Sequence, residues 1–209
     1  MPENYSNVIL RSFGTNEPKY SIGIDADGVI VYNGTTLGGG LFAQTADGKA
    51  ITSAATETTL IGSGQGVLTV PKNSFRVGDS FSVVMGGRIS TPGGSQTIRI
   101  RVKADNGVTT INLANSGFQT LPNASNEAFE LKVNFTIRAI GAATVASIKS
   151  MSSFTVQKSS SGSLEGFEFN NIENTNFDTT LSNTLDITAE WGGAGNSILS
   201  QYFTLTKIF

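Results

Sequence analysis

The sequence predicts an all-β protein: a two-sheet antiparallel jelly-roll sandwich of about eight strands, preceded by an N-terminal arm with a β-hairpin. Three observations carry this. Apolar and polar residues alternate along run after run, most plainly in Ala128–Arg138, where Phe129, Leu131, Val133, Phe135 and Ile137 take every second position. Turn formers punctuate these runs, and the chain holds 24 Gly. No stretch carries the spacing of an amphipathic helix over three turns. Side chains of a strand alternate between faces, so 128–138 presents one apolar and one polar face. In a helix the same five apolar residues would spread around the circumference. The stretch reads as a half-buried strand near the centre of an antiparallel sheet, with a second sheet on its apolar side.

The elements follow in order. Residues 1–50 read as the arm. Asn7–Phe13 suits a short strand, and Tyr20–Ile24 and Val29–Tyr32 flank Asp25-Ala26-Asp27-Gly28, a hairpin tip. Asn33-Gly34 and Gly38-Gly39-Gly40 are flexible punctuation. A lone hairpin is marginal in water, so the arm is expected to lean on the main domain or on a neighbouring subunit. Residues 51–209 read as the sandwich domain. Thr52–Ile61 is a Thr/Ala-rich strand ending at Gly62-Ser63-Gly64, and Gly66–Val70 stops at Pro71. Val77-Gly78-Asp79 leads into a strand over Ser80–Ile89, and Thr91-Pro92-Gly93-Gly94 is a turn. Gln96–Lys103 puts Ile98, Ile100 and Val102 on one face and Arg99, Arg101 and Lys103 on the other. Asp105-Asn106-Gly107 is the next hairpin tip, with Val108–Leu113 after it. Beyond the organising strand, Thr144–Ile148 and Ser153–Gln157 read as a pair, followed by strands at Gly166–Asn170 and Thr180–Glu190. In the latter run Leu185, Ile187, Ala189 and Trp191 share a face. Gly192–Asn196 turns the chain into Ser197–Phe209, expected to lie paired inside a sheet because an apolar end left free would fray. Long connections favour Greek-key crossovers.

Composition removes whole classes of chemistry. The chain of 209 residues has no Cys and no His. It can bury a core without staples, but offers no disulfide, no thiolate metal site and no imidazole base or near-neutral switch. Charged residues make up 14% and the net charge is -2, so no basic field is present for a nucleic acid. No apolar run approaches the roughly 20 residues of a membrane span, and MPENYSNVILRSFG does not resemble a signal peptide. Synthesis in a cytoplasm is expected, which leaves the glycosylation patterns at Asn33, Asn123 and Asn134 unmodified.

Candidate sites each have a plainer reading. Asp25, Asp27 and Gly28 resemble the opening of a calcium loop, but its twelfth position is Thr36 rather than Glu. Arg99, Arg101 and Lys103 could touch phosphate or glycan, yet fit better the solvated or intersubunit face of an amphipathic strand. Glu165, Glu168, Glu173, Asp178, Asp186 and Glu190 could serve a hydrolase, but nothing sets two of them across a cleft. Trp191 could stack on a sugar, though it reads better as a core-edge residue. Ser147 with Lys149, and Ser153 with Lys158, look like plain strand rather than a nucleophile and its base. Gly62–Gly66 lacks the Lys-Ser/Thr ending and the helix of a phosphate loop. No residue is therefore assigned to catalysis, to a cofactor or to a metal, and the chain is not expected to be an enzyme.

Several segments carry a resemblance: Thr58–Phe81 (TTLIGSGQGVLTVPKNSFRVGDSF), Gly86–Thr91 (GGRIST), Phe135–Ala142 (FTIRAIGA), Thr184–Trp191 (TLDITAEW) and Phe203–Leu205. Together they resemble β-rich capsid-associated proteins of phages and large icosahedral DNA viruses, over roughly residues 51–209. The resemblance implies a jelly roll used in a virion: a penton, a minor capsid protein, or a spike or fibre head. It implies a symmetric homo-oligomer, pentamer or trimer, with other capsid proteins reached through the N-terminal arm and no nucleic acid partner. The alternative is a receptor- or carbohydrate-binding head for a host glycan, resting on Trp191, Tyr202 and the polar loops.

Overall fold

The computed structural model describes residues 8–10, 20–24, 30–32, 35–36 and 40–209, apart from 53, 54, 94 and 172–175. The chain divides into two compact units, Met1–Gly39 and Gly40–Phe209. In the first, β1 (Val8–Leu10), β2 (Tyr20–Ile24), β3 (Ile30–Tyr32) and β4 (Thr35–Thr36) form one antiparallel sheet in that order. The expected pairing across Asp25–Gly28 is present as β2 against β3, while the tip itself lies outside the described residues.

The second unit is all-β, with no helix among its described residues. Its strands are β5 (Gly40–Gln44), β6 (Thr58–Thr59), β7 (Gly64–Gly66), β8 (Thr69–Val70), β9 (Ser80–Thr91), β10 (Gln96–Asp105), β11 (Thr110–Asn115), β12 (Gln119–Leu121), β13 (Ala124–Ala139), β14 (Ser147–Gln157), β15 (Leu164–Asn171), β16 (Asn183–Trp191) and β17 (Ser197–Lys207). They make two antiparallel sheets. The larger has 7 strands in the order β15-β14-β13-β9-β17-β5-β7. The smaller has 6, with β11-β10-β16-β6 as its path, β12 also on β10 and β8 also on β16. The sandwich is open, not a closed barrel.

The predicted alternation sets which way each strand faces. Along β13 the residues Phe129, Leu131, Val133, Phe135 and Ile137 are buried while Glu130, Lys132 and Asn134 are exposed. Across the interior, Ile98, Ile100 and Val102 of β10 and Ile187 and Trp191 of β16 are fully buried, and one continuous apolar core joins the two sheets. Aromatic pairs fill it, with Phe81 stacked on Phe135 at 5.0 Å and Phe75 edge-on to Phe177 at 5.4 Å. Trp191 Nε1 donates to Ile51 O at 2.9 Å, so the one polar atom of this buried ring is satisfied.

Several boundaries differ from the sequence reading. Thr144–Ile148 and Ser153–Gln157 are not a pair of strands: residues 147–157 form the single strand β14, pairing with β13 on one side and β15 on the other. The apparent break comes from Ser150 and Ser152, polar residues at inward positions. Ser150 Oγ donates to Leu113 O of the opposite sheet at 2.5 Å and accepts from Asn171 N at 3.2 Å, so this serine ties β14 to β11 where the sheet edges approach. Among the described residues of 52–61, only Thr58–Thr59 form a strand, and Ala55, with a φ of 56°, departs from the extended run. Gly40–Gln44, read as part of the arm, is a strand of the larger sheet between β17 and β7. Gly64–Gly66, read as a turn, pairs with it so closely that a Cβ on Gly64 would lie 2.3 Å from Ala43 O and one on Gly66 2.1 Å from Leu41 O. Only glycine permits that approach.

The C-terminal strand lies inside a sheet, between β9 and β5. Past it, Ile208 N donates to Ser80 O at 2.8 Å and Phe209 O accepts from Ser80 N at 2.9 Å, so the backbone is held to the last residue. The two side chains nonetheless stand in solvent, 61% and 81% exposed. Leu131→Ala, deep in the core, is expected to cost about 2–5 kcal/mol, whereas Lys132→Ala on the outer face of the same strand should stay within about 0.5 kcal/mol. Urea denaturation followed by Trp191 emission measures both.

Candidate functional site

A ladder of paired charges lies on the outer face of the smaller sheet. Alternation along β10 puts Arg99, Arg101 and Lys103 outward, and register sets them opposite Glu190, Thr188 and Asp186 of β16. Arg101 Nη2 donates to Glu190 Oε2 at 2.7 Å, and Arg99 Nη1 lies 3.6 Å from the same oxygen. Arg101 Nη1 is 2.8 Å from Glu57 Oε2 but is out of line for a hydrogen bond, so that contact is Coulombic. Lys103 Nζ donates to Glu57 Oε1 at 2.9 Å, and Thr188 Oγ1 donates to the same atom at 2.6 Å. The Arg99 guanidinium also sits 4.3 Å above the Phe118 ring.

The basic stripe is thus the cationic half of an intramolecular ladder. Three cations face Glu57, Asp186 and Glu190, and the local sum is zero. Partial burial pushes the Glu57 carboxyl up. Hydrogen bonds from Lys103 and Thr188, with the charges of Arg101 and Lys103, outweigh it and hold the group below its ordinary 4.5. A phosphate arriving here would have to displace these partners. Glu57 was invisible to sequence reasoning, because its role follows from the contact of the 55–60 segment with β16, more than a hundred residues along the chain.

The remaining candidates scatter. Glu165 pairs with Lys158 at the end of β14. Glu168 is exposed on β15, and Glu173 lies outside the described residues. Asp178 accepts from Thr180 Oγ1 at 2.7 Å and from Thr180 N at 2.8 Å, bonds that lower its pKa. Asp186 accepts from Thr59 Oγ1 at 2.6 Å. Among the described residues no three Asp, Glu, His or Cys side chains converge as a metal site would need. Ser147, Lys149 and Ser153 all lie on β14, with Lys158 just past its end. Asp25, Asp27, Gly28 and Asn33 lie outside the described residues, while Asn123 and Asn134 are exposed. Trp191 is fully buried and cannot serve as a sugar platform; Tyr202, 52% exposed, faces outward from the larger sheet.

Two hollows exist. A depression of about 710 Å3 beside the ladder is walled by Lys103, Asp105, Thr59 and Asp186 over a floor that includes Ile61 and Leu185. Two of its hydroxyls are already engaged, Thr59 with Asp186 and Thr184 with Thr69, and no aromatic side chain lines it. A second hollow of about 30 Å3 sits in the core among Phe75, Phe177 and Asn183, room for little more than a water.

The other distinctive surface is apolar. At the end where β9 begins and β13 and β17 finish, Val77, Ile140, Val145, Ile208 and Phe209 are each 47–81% exposed. Hydrogen bonds join these segments: Gly78 N donates to Ile137 O at 2.9 Å, Ile208 N to Ser80 O at 2.8 Å and Thr179 N to Gly141 O at 3.0 Å.

No protein-family model matches this sequence, and no curated protein matches it at a significant level.

The ladder yields two tests. Glu190→Gln takes the shared anion from Arg99 and Arg101, both largely covered, and is expected to cost about 1–3 kcal/mol. Glu57 contributes stability because its folded pKa is lowered. That contribution is complete above pH 4.5 and is lost as pH falls through the lowered value. Glu57→Gln should therefore be less stable than the parent at neutral pH, by under about 1 kcal/mol for so exposed a group, with the gap closing in acid. Urea melts across a pH series measure it.

Proposed function

We propose that this chain is a structural subunit of a virus particle, a capsid vertex (penton) or minor capsid protein, that assembles as a symmetric homo-oligomer after synthesis in the host cytoplasm. The observation that carries the reading is the apolar end of the sandwich. Val77, Ile140, Val145, Ile208 and Phe209 put five large apolar side chains on a surface whose backbone is hydrogen-bonded into place. Large apolar side chains exposed on segments that meet at one end support a surface that another protein covers.

Topology supports the finer reading of a jelly roll. β9 and β10 are consecutive and lie in opposite sheets, as do β16 and β17. β9 pairs with β17 and β10 with β16, both antiparallel. Rolling one antiparallel ribbon around a core produces that double pairing. The segments resembling viral structural proteins supply parts of this frame: Gly86–Thr91 lies in β9, Thr184–Trp191 in β16 and Phe203–Leu205 in β17. The alternative, a glycan-binding head, loses its principal support with Trp191 buried.

Sedimentation velocity and light scattering of the full chain over a wide concentration range, with negative-stain micrographs, test the proposal. Closed oligomers at a whole multiple of the chain mass are expected. Val77→Asp combined with Phe209→Ser should weaken them about tenfold or more, since a charge is placed in the contact, while Trp191 emission stays unchanged. A parent chain that stays monomeric throughout would sink the proposal.

A further inference from the structure

The chain holds Asn-Gly twice, at Asn33-Gly34 and Asn106-Gly107. In such a pair the glycine nitrogen can attack the asparagine side-chain carbon, because no Cβ shields it. Asn106-Gly107 forms the tip between β10 and β11, just outside the paired residues Asp105 and Thr110. Three hydrogen bonds there meet the needs of that attack. Gly107 N donates to Asp105 Oδ1 at 2.8 Å, so a carboxylate faces the proton that the nitrogen must lose. Asn106 Oδ1 accepts from Val108 N at 2.9 Å and from Thr109 N at 2.8 Å. Two backbone donors thus rest on the oxygen that gains charge when its carbonyl carbon is attacked. The ring closed by the Val108 bond runs through Gly107 N, so the carboxamide is folded back toward the atom that must reach it. The tip is also open. Gly107 is exposed, and beyond its chain neighbours no atom lies within 4 Å of where a Cβ on it would stand.

We propose that Asn106 is a self-modification site, converted in the folded chain to aspartate and isoaspartate through a cyclic imide. Gly107 N bonds to Asn106 Cγ as its proton passes to Asp105. The Cγ–Nδ2 bond then breaks, and the proton held by Asp105 leaves with Nδ2 as ammonia. Water opens the imide at either carbonyl, so one water enters for each ammonia lost. Opening at Cγ gives aspartate, and opening at the main-chain carbonyl gives isoaspartate. Either product adds a carboxylate at position 106 to a chain whose net charge is -2. Asn106 shares the wall of the 710 Å3 depression with Lys103, Asp105 and Asp186, so the new charge falls where acid already outnumbers base. Isoaspartate also lengthens the main chain by a methylene between Asp105 and Thr110, which loosens the tip and leaves the core pairings intact. The reaction needs neither a second copy nor a partner.

Trypsin places the two Asn-Gly pairs in different peptides, 20–49 and 104–132. Mass spectrometry with fragmentation follows aspartate and isoaspartate at each as the full chain ages at neutral pH, folded or in guanidinium chloride. Unfolding removes the fixed acceptor and donors, so Asn106 should convert about tenfold or more faster in the folded chain than in the unfolded one. Asp105→Ala should lower the folded rate at Asn106 by a similar factor, while Asn33 in the same samples keeps its rate. Unchanged Trp191 emission certifies the body of the variant. Conversion at Asn106 that is no faster folded than unfolded, or an Asp105→Ala variant that keeps the parent rate, would overturn this inference: the tip's hydrogen bonds then only brace a turn.

Discussion

Two strand pairings hold the body together, and they depend on each other. β9 with β17 lies at the middle of the larger sheet and β10 with β16 at the middle of the smaller, and only short turns join β9 to β10 and β16 to β17. A slip of one residue in either pairing would turn a whole apolar set toward water. Because the same two lengths of chain make both pairings, a slip in one sheet would force a slip in the other. The core between them, from Phe81 and Met85 to Ile100 and Trp191, is buried only when both registers hold.

Polar contacts at the margins extend that arrangement. Ser150 reaches Leu113 O where β14 approaches β11, and Ser200 Oγ, fully buried, donates to Leu60 O across the opposite margin. Trp191 fixes Ile51, whose N donates in turn to Ile198 O. Each satisfies a buried group that would otherwise oppose folding. Outside, the smaller sheet neutralises its own charges: the Arg99–Arg101–Lys103 edge is matched by carboxylates from β16 and from Glu57, which lies just before β6. Engaged with one another, these groups have little left to offer a ligand.

What the body leaves uncovered is apolar surface. One end shows Val77, Ile140, Val145 and the last two residues to solvent.

Much of the architecture was legible in the residues. The alternation in 129–137, 98–102 and 185–191 predicted which side chains enter the core, and Pro92-Gly93 and Asn106-Gly107 marked turns, because both signals are local properties of an extended backbone. That Arg99, Arg101 and Lys103 share an outward face could also be read. Only the tertiary structure decided what they face, since Glu57 reaches them through a contact with a strand more than a hundred residues away in sequence. It also decided that Ser150 continues a strand and that Gly64–Gly66 forms a sheet edge. Alternation states which residues share a side of a strand, whereas neighbours across a sheet and the cover over each face follow from how distant strands meet, and no short window of sequence contains that.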